Sequence, residues 1–155
     1  MTAEVPRLTI GIEEEFQIVD GDGQLKSHIE TLLKAAGPRL RERIRPEMMQ
    51  SVVEAGTKIC ADISEAREEI CQLRGTLAAL LQPAGLRLVS AGTHPFSHWQ
   101  DQQVTEHERY KILEEELQDV IRELLIFGLH VHVGIADRER RIEVMNEARY
   151  FLPHL

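Results

Sequence analysis

Apolar and polar positions alternate, then recur at helical spacing, several times along the chain. Leu8 to Asp20 carries Thr9, Ile10, Ile12, Phe16, Ile18 and Val19, which suit a pleated surface, and predicts a strand. Gly21-Asp22-Gly23 predicts the turn that ends it. Ser27 to Ala36 predicts a short helix stopped by Gly37-Pro38, and Glu47 to Ile59 a second strand. The clearest helix is Asp62 to Leu81. Asp62 and Glu65 form a D-x-x-E start signal, and Ile63, Ala66, Ile70, Leu73, Leu77 and Leu80 recur on one face before Pro83 and Gly85 end it. Leu86 to Ala91 predicts a third strand. Thr105 to about Leu125 predicts a second long helix, with Ile112, Leu113, Leu117, Val120, Ile121 and Leu124 as its apolar face. Ile126 to Ile135 predicts a fourth strand, and Asp137 caps a last helix reaching about Phe151. Taken alone, this alternation of strands and helices favours a parallel α/β sheet.

Three of the predicted strands carry polar residues where folding alone does not ask for them. In Gly11-Ile12-Glu13-Glu14-Glu15-Phe16, alternate side chains share a face, so Glu13, Glu15 and Gln17 point one way. Two carboxylates one residue apart on one face repel each other, and a divalent cation with oxygen ligands would relieve that. A solvated acidic edge strand is the plain alternative. Glu14 falls awkwardly on the mostly apolar face. In Leu129-His130-Val131-His132-Val133-Gly134, His130 and His132 share a face, with Leu129, Val131 and Val133 on the other. Such a pair ligates a metal, donates to phosphate, or is simply held by neighbours. Glu54 lies among Val52, Val53 and Ala55, where an unpaired carboxylate is expensive, so a metal, an arginine or solvent must meet it. Gly92-Thr93-His94-Pro95-Phe96 reads as a turn displaying His94, more simply a turn residue than a substrate contact.

Composition narrows the function classes. The 155 residues suit one domain or a large piece of one, with 43% hydrophobic and 28% charged residues. A formal charge of -8 argues against nonspecific nucleic-acid binding and suits a site that gathers cations. No apolar run is long enough to span a membrane, and Met1 to Arg7 lacks the pattern of a signal peptide. Cys60 and Cys71 make no CxxC motif and read as buried thiols, so the expected compartment is the cytoplasm.

Five segments occur in order: G-I-E-E-E-F, R-P-E-M-M-Q-S-V-V-E-A-G-T, A-G-T-H-P-F, G-L-H-V-H-V-G and R-Y-F-L-P-H-L. Together, from about Leu8 to Leu155, they resemble the bacterial carboxylate–amine ligases, also called glutamate–cysteine ligase type 2. The resemblance implies an α+β fold, a mostly antiparallel curved sheet with outer helices, as in glutamine synthetase and glutamate–cysteine ligase. That replaces the parallel sheet favoured by pattern. It also implies an ATP-dependent ligase that forms an amide bond through an acyl phosphate, from glutamate and an amine such as cysteine. ATP and Mg²⁺ (or Mn²⁺) are the implied cofactors. Carried over residue by residue, Glu13, Glu15, Glu54 and His130 are the implied metal ligands, and His132 lies at the nucleotide phosphates. These five are the implied catalytic set. Where the family usually has proline after the threonine of the Glu54 strand, Lys58 stands here.

Family members run well beyond this length, and their later strands supply another metal carboxylate and phosphate-gripping basic residues. The chain is therefore expected to be the N-terminal portion of a single, incomplete ligase domain. It is expected not to turn over alone, and to self-associate or pair with a missing C-terminal half. Two other readings stay open: a noncatalytic metal- or nucleotide-binding fragment, and a metal-dependent hydrolase.

Overall fold

A computed structural model describes residues 7–108, 110, 112 and 125–154. The predicted helix over 105–125 lies for the most part outside the described residues. The first strand, β1 (Thr9–Val19), is followed by α1 (Ile29–Ala35), α2 (Pro38–Arg41), β2 (Ile44–Pro46) and β3 (Val52–Gly56). Then come α3 (Ile63–Leu81), β4 (Arg87–Val89), β5 (Leu129–Gly134) and a helix numbered α4 here (Arg138–Ala148).

Every strand pair is antiparallel. β1 is central: β3 lies along one edge, with β2 beyond it, while β5 and then β4 share the other edge. The parallel sheet suggested by the element pattern is thus overturned. β3, α3 and β4 do form a strand–helix–strand crossover, but β1 is inserted antiparallel between its two strands. An alternating pattern cannot reveal that insertion, because it comes from a strand earlier in the chain.

The turn after β1 forms as expected. Gly23 takes φ 80°, and Asp20 Oδ1 accepts from the backbone N–H groups of Asp22 and Gln24 at 3.0 and 2.9 Å. The second predicted strand is shorter than Glu47–Ile59. Residues 47–51 turn, and β2, unforeseen from the sequence, pairs with β3 as a hairpin. Pro38 does not merely stop a helix but opens α2 at its first turn.

One face of the sheet is covered by α3, started as expected by Asp62, whose side chain accepts from Glu65 N–H at 2.9 Å. Ala66, Ile70, Leu73, Leu77 and Leu81 are its buried positions, and Ile63, expected on that face, is exposed. They pack with Phe16, Ile18, Val53 and Ala55 in the main core. A smaller core of Val19, Leu25, Met49, Val52, Leu125 and Phe127 includes Val19, which lies on the opposite face at the far end of β1. β1 is therefore buried on both faces over Phe16–Val19, while the opposite face at Glu13 and Glu15 stays partly open. Leu129, Val131 and Val133 are exposed, so the apolar side of β5 is not core among the described residues. Cys60 is buried as expected, but Cys71 is exposed on α3. Among the described residues no helix is long and apolar enough to cross a membrane.

Glu14 finds its partner 60 residues away. Arg74 on α3 grips it with two hydrogen bonds, 2.6 and 2.9 Å, and Ser90 Oγ donates a third at 2.7 Å. The same guanidinium lies 5.9 Å from the Phe16 ring centroid. This pair fastens the helix layer to β1 between the two glutamates of the opposite face. Arg74→Met should cost about 2–3 kcal/mol, since Glu14 would remain buried without its cationic partner; the half-exposed Arg74 keeps the loss at the low end for buried pairs. Adding Glu14→Gln should recover most of it. Urea midpoints read both effects, and an unchanged midpoint in Arg74→Met contradicts the role.

Candidate functional site

The register of β1 with its two neighbours assembles the site. Glu15 stands directly opposite Glu54 on β3, and Glu54 opposite Arg45 on β2. Glu13 stands opposite Gly56 on one side and His130 on the other, and His132 faces Gly11. Directly opposed residues share a face. All five residues singled out from the sequence therefore lie on one face of one sheet, opposite α3.

They form two trios. Glu13, His130 and His132 offer one ligand atom each, all within 4.8 Å of one another. Glu15, Glu54 and Glu47 form the second, with the same closeness. Glu47 was not singled out from the sequence as a ligand. It lies just beyond β2 in the turn of the hairpin, and strand periodicity says nothing about a side chain outside a strand. The usable signal was its place in the quoted R-P-E-M-M-Q-S-V-V-E-A-G-T segment.

His132 Nε2–H donates to Glu13 Oε2 at 2.9 Å, and His130 Nδ1 lies 3.6 Å from the same oxygen. The His132 hydrogen bond is the main reason the Glu13 carboxyl is held below its ordinary value of 4.5, against a smaller opposing effect of burial. Glu15 accepts the Gly128 backbone N–H at 2.7 Å. Neither carboxylate is the unpartnered group that their repulsion alone suggested. Gly128 leaves little spare room here: a Cβ would stand 3.3 Å from His130 Nε2 and 3.6 Å from Glu15 Oε2.

Glu54 behaves differently. Burial, first, and then the charges of Glu13, Glu47 and Glu15 push its carboxyl above 4.5, with only Arg45 opposing. Arg45 Nη1 is 4.0 Å from Glu54 Oε1, too far for a good hydrogen bond. Three carboxylates are the oxygen donor set preferred by Mg²⁺ or Mn²⁺. The one-carboxylate, two-imidazole trio suits a borderline ion such as Mn²⁺ as well. Both donor sets fit a divalent cation.

A cleft of about 510 Å³ opens beside the trios, lined among others by Glu13, Glu54, His132, Arg45, Gly56 and Lys58. Thr57 closes the β1–β3 edge there, its Oγ1 accepting the Ile12 N–H at 2.9 Å. Lys58, the departure from the family pattern, turns to α3, with Nζ 2.7 Å from Glu65. The chain then rejoins β1 at Cys60, opposite Ile10. His94 is not part of the site. Its Nδ1 accepts from Ser97 N–H at 2.9 Å, so Nε2 carries the proton and donates to the Gly23 carbonyl at 2.9 Å. It staples two turns together.

Comparison with known proteins bears on the family and the fold. The sequence model of the family described as glutamate-cysteine ligase family 2 matches residues 9–155. A Sorangium cellulosum protein provisionally named glutamate–cysteine ligase 2 is 56% identical over 153 residues, covering 96% of this chain and 40% of that protein. A Solibacter usitatus protein with the same provisional name is 49% identical over 157 residues, 100% of this chain and 41% of its own length. The chain thus spans about 40% of the length of the curated relatives it matches. Two solved structures share the fold. The glutamate–cysteine ligase of Francisella tularensis in complex with AMP matches with a TM-score of 0.69 at 17% identity, over 95% of this chain and 30% of that one. A bifunctional glutathione synthetase from Pasteurella multocida matches with 0.66 at 16% identity, over 91% and 19%. On the family match and these relatives, the chain belongs to glutamate–cysteine ligase family 2.

Proposed function

We propose that this chain is the N-terminal portion of a single catalytic domain of an ATP-dependent carboxylate–amine ligase, with glutamate as the acid and cysteine as one possible amine. The observation that carries this reading is the convergence of Glu13, Glu15, Glu47, Glu54, His130 and His132 on one sheet face in two trios. The AMP held by the Francisella tularensis ligase supports a nucleotide at the same fold.

A carboxylate is a poor acylating agent, so direct attack by an amine is slow. In the proposed reaction a carboxylate oxygen of the acid attacks the γ-phosphorus of ATP and ADP leaves. The amine then attacks the acyl carbon, the C–N bond forms, the C–O bond to phosphate breaks, and the amine proton is released. Such transfers depend on positioning and charge neutralisation more than on covalent chemistry by the protein. Mg²⁺ or Mn²⁺, when bound, supplies that neutralisation and aligns the phosphate oxygens.

The side chains prepare the place. Glu15, Glu47 and Glu54 hold one cation and Glu13 with His130 the other. His132 is kept in place by Glu13 at the edge of the nucleotide phosphates. The His132 hydrogen bond in turn holds the Glu13 carboxyl below its ordinary value.

Phosphate release from ATP that needs both an acid and an amine is the expected activity, in this chain or in a version carried to the relatives' full length. Release without an amine would point to a hydrolase. In binding titrations, His130→Ala should weaken Mn²⁺ binding and His132→Ala nucleotide binding at saturating Mn²⁺, each by about tenfold or more. Unchanged titrations in both variants would make the histidines structural.

Glu54 gives a pH-dependent expectation. Its folded value lies above the ordinary one, so its contribution to stability is whole below 4.5 and is lost as pH rises through the raised value. Glu54→Gln should therefore raise the urea midpoint at pH 7, and the gain should vanish below pH 4.5. Mg²⁺ should raise the wild-type midpoint at pH 7 and that of Glu54→Gln much less. A variant less stable than wild type at pH 7 without Mg²⁺ contradicts this.

A further inference from the structure

The cleft has a cationic wall that neither trio uses. Arg43, Arg45 and Lys58 line it. Two of these are engaged. Arg43 Nη2 lies 2.6 Å from Glu69 and its Nε donates to the Gly56 carbonyl at 3.2 Å. Lys58 Nζ lies 2.7 Å from Glu65 and 3.7 Å from Glu69. Arg45 differs: its side chain is 72% exposed, and its one ion pair among the described residues is the 4.0 Å contact to Glu54.

Its placement is fixed by register. Arg45, Glu54 and Glu15 form one row across β2, β3 and β1, so Arg45 is the outer neighbour of the carboxylate trio. The surface beside that row is bare. Gly11 and Gly56 lie on the same face as Glu13, and a Cβ on either would meet only ordinary contacts, 3.7 Å to His132 Cβ and 3.8 Å to Glu13 Cγ. The cleft thus has the exposed Arg45 guanidinium at the outer end of the carboxylate row and a glycine floor beside it.

We propose that Arg45 anchors the non-reacting carboxylate of the amino-acid substrate, placing the reacting carboxylate over Glu15, Glu47 and Glu54; this rests on the ligase reading above. A planar guanidinium fork matches a carboxylate with two parallel hydrogen bonds. A cation on the trio takes over Glu54's negative charge and repels Arg45, and both positive groups then attract an anion lying between them. The spacing separates this ligand from the nucleotide. With strands about 4.8 Å apart, β2 and β5 lie about 14 Å apart, so a nucleotide at His132 leaves the β2 wall to the acid. A dicarboxylic amino acid, its carboxylates about one strand spacing or ~5 Å apart, bridges from Arg45 to the trio.

The test is calorimetry on the chain with Mn²⁺ and a nonhydrolysable ATP analogue. The acids titrated are L-glutamate and 4-aminobutyrate, which keeps the distal carboxylate and lacks the α-carboxylate. Wild type should prefer glutamate. Arg45→Ala should weaken glutamate about tenfold to a hundredfold, erase the preference, and leave 4-aminobutyrate, Mn²⁺ and the analogue within about twofold, which also shows that the variant folds. Arg45→Lys should restore part of the loss. Arg45→Ala that binds glutamate as wild type does, or that loses the ATP analogue instead, overturns the assignment and leaves the ligase reading standing. Wild type that binds the analogue but does not distinguish the two acids also overturns it. Wild type that binds neither Mn²⁺ nor the analogue overturns the ligase reading with it.

Discussion

Antiparallel pairing of β1 with β3 on one edge and β5 on the other is the constraint on which everything else depends. Because side chains alternate with period two, a slip of one residue would send every ligand to the wrong face. The register Glu15↔Glu54 and Glu13↔His130 brings together residues from positions 13 to 130 of the chain. What pins that register lies on the opposite face. Phe16, Ile18, Val53 and Ala55 pack under α3, and the buried Glu14–Arg74 pair sits between the two site glutamates on β1.

The second determinant is charge. In one trio Glu13 is held by a hydrogen bond from His132, while the other brings Glu15, Glu47 and Glu54 together, with Arg45 paired to Glu54 at 4.0 Å. Burial first, and then the neighbouring charges of Glu13, Glu47 and Glu15, push the Glu54 carboxyl above its ordinary value. Gly11 and Gly56 leave the floor beside that row bare, as the proposed ligase reading asks of a surface that cation, nucleotide and acid would share.

Much of this was legible in the sequence, for identifiable reasons. Glu13 with Glu15, and His130 with His132, are period-two pairs, which a strand converts directly into a shared face. Glu54 stood out because a carboxylate among valines needs a partner. Other features depend on contacts between distant segments and were not legible. Glu14 looked misplaced until Arg74, 60 residues on, came to meet it. Glu47 sits in a turn, where no period applies. The antiparallel order was hidden because β1, made first, is inserted between β3 and β4; the family resemblance supplied it where the pattern misled. His94 read as a turn residue and is one, but its bond to the distant Gly23 carbonyl could not be foreseen.

The central claim is that two cations gather on this sheet face. Anomalous diffraction from crystals grown with Mn²⁺ tests it most directly. The account predicts one peak within about 2.2 Å of carboxylate oxygens of Glu15, Glu47 and Glu54, and a second bound by Glu13 and His130. Full Mn²⁺ occupancy elsewhere with no peak at either trio would contradict it.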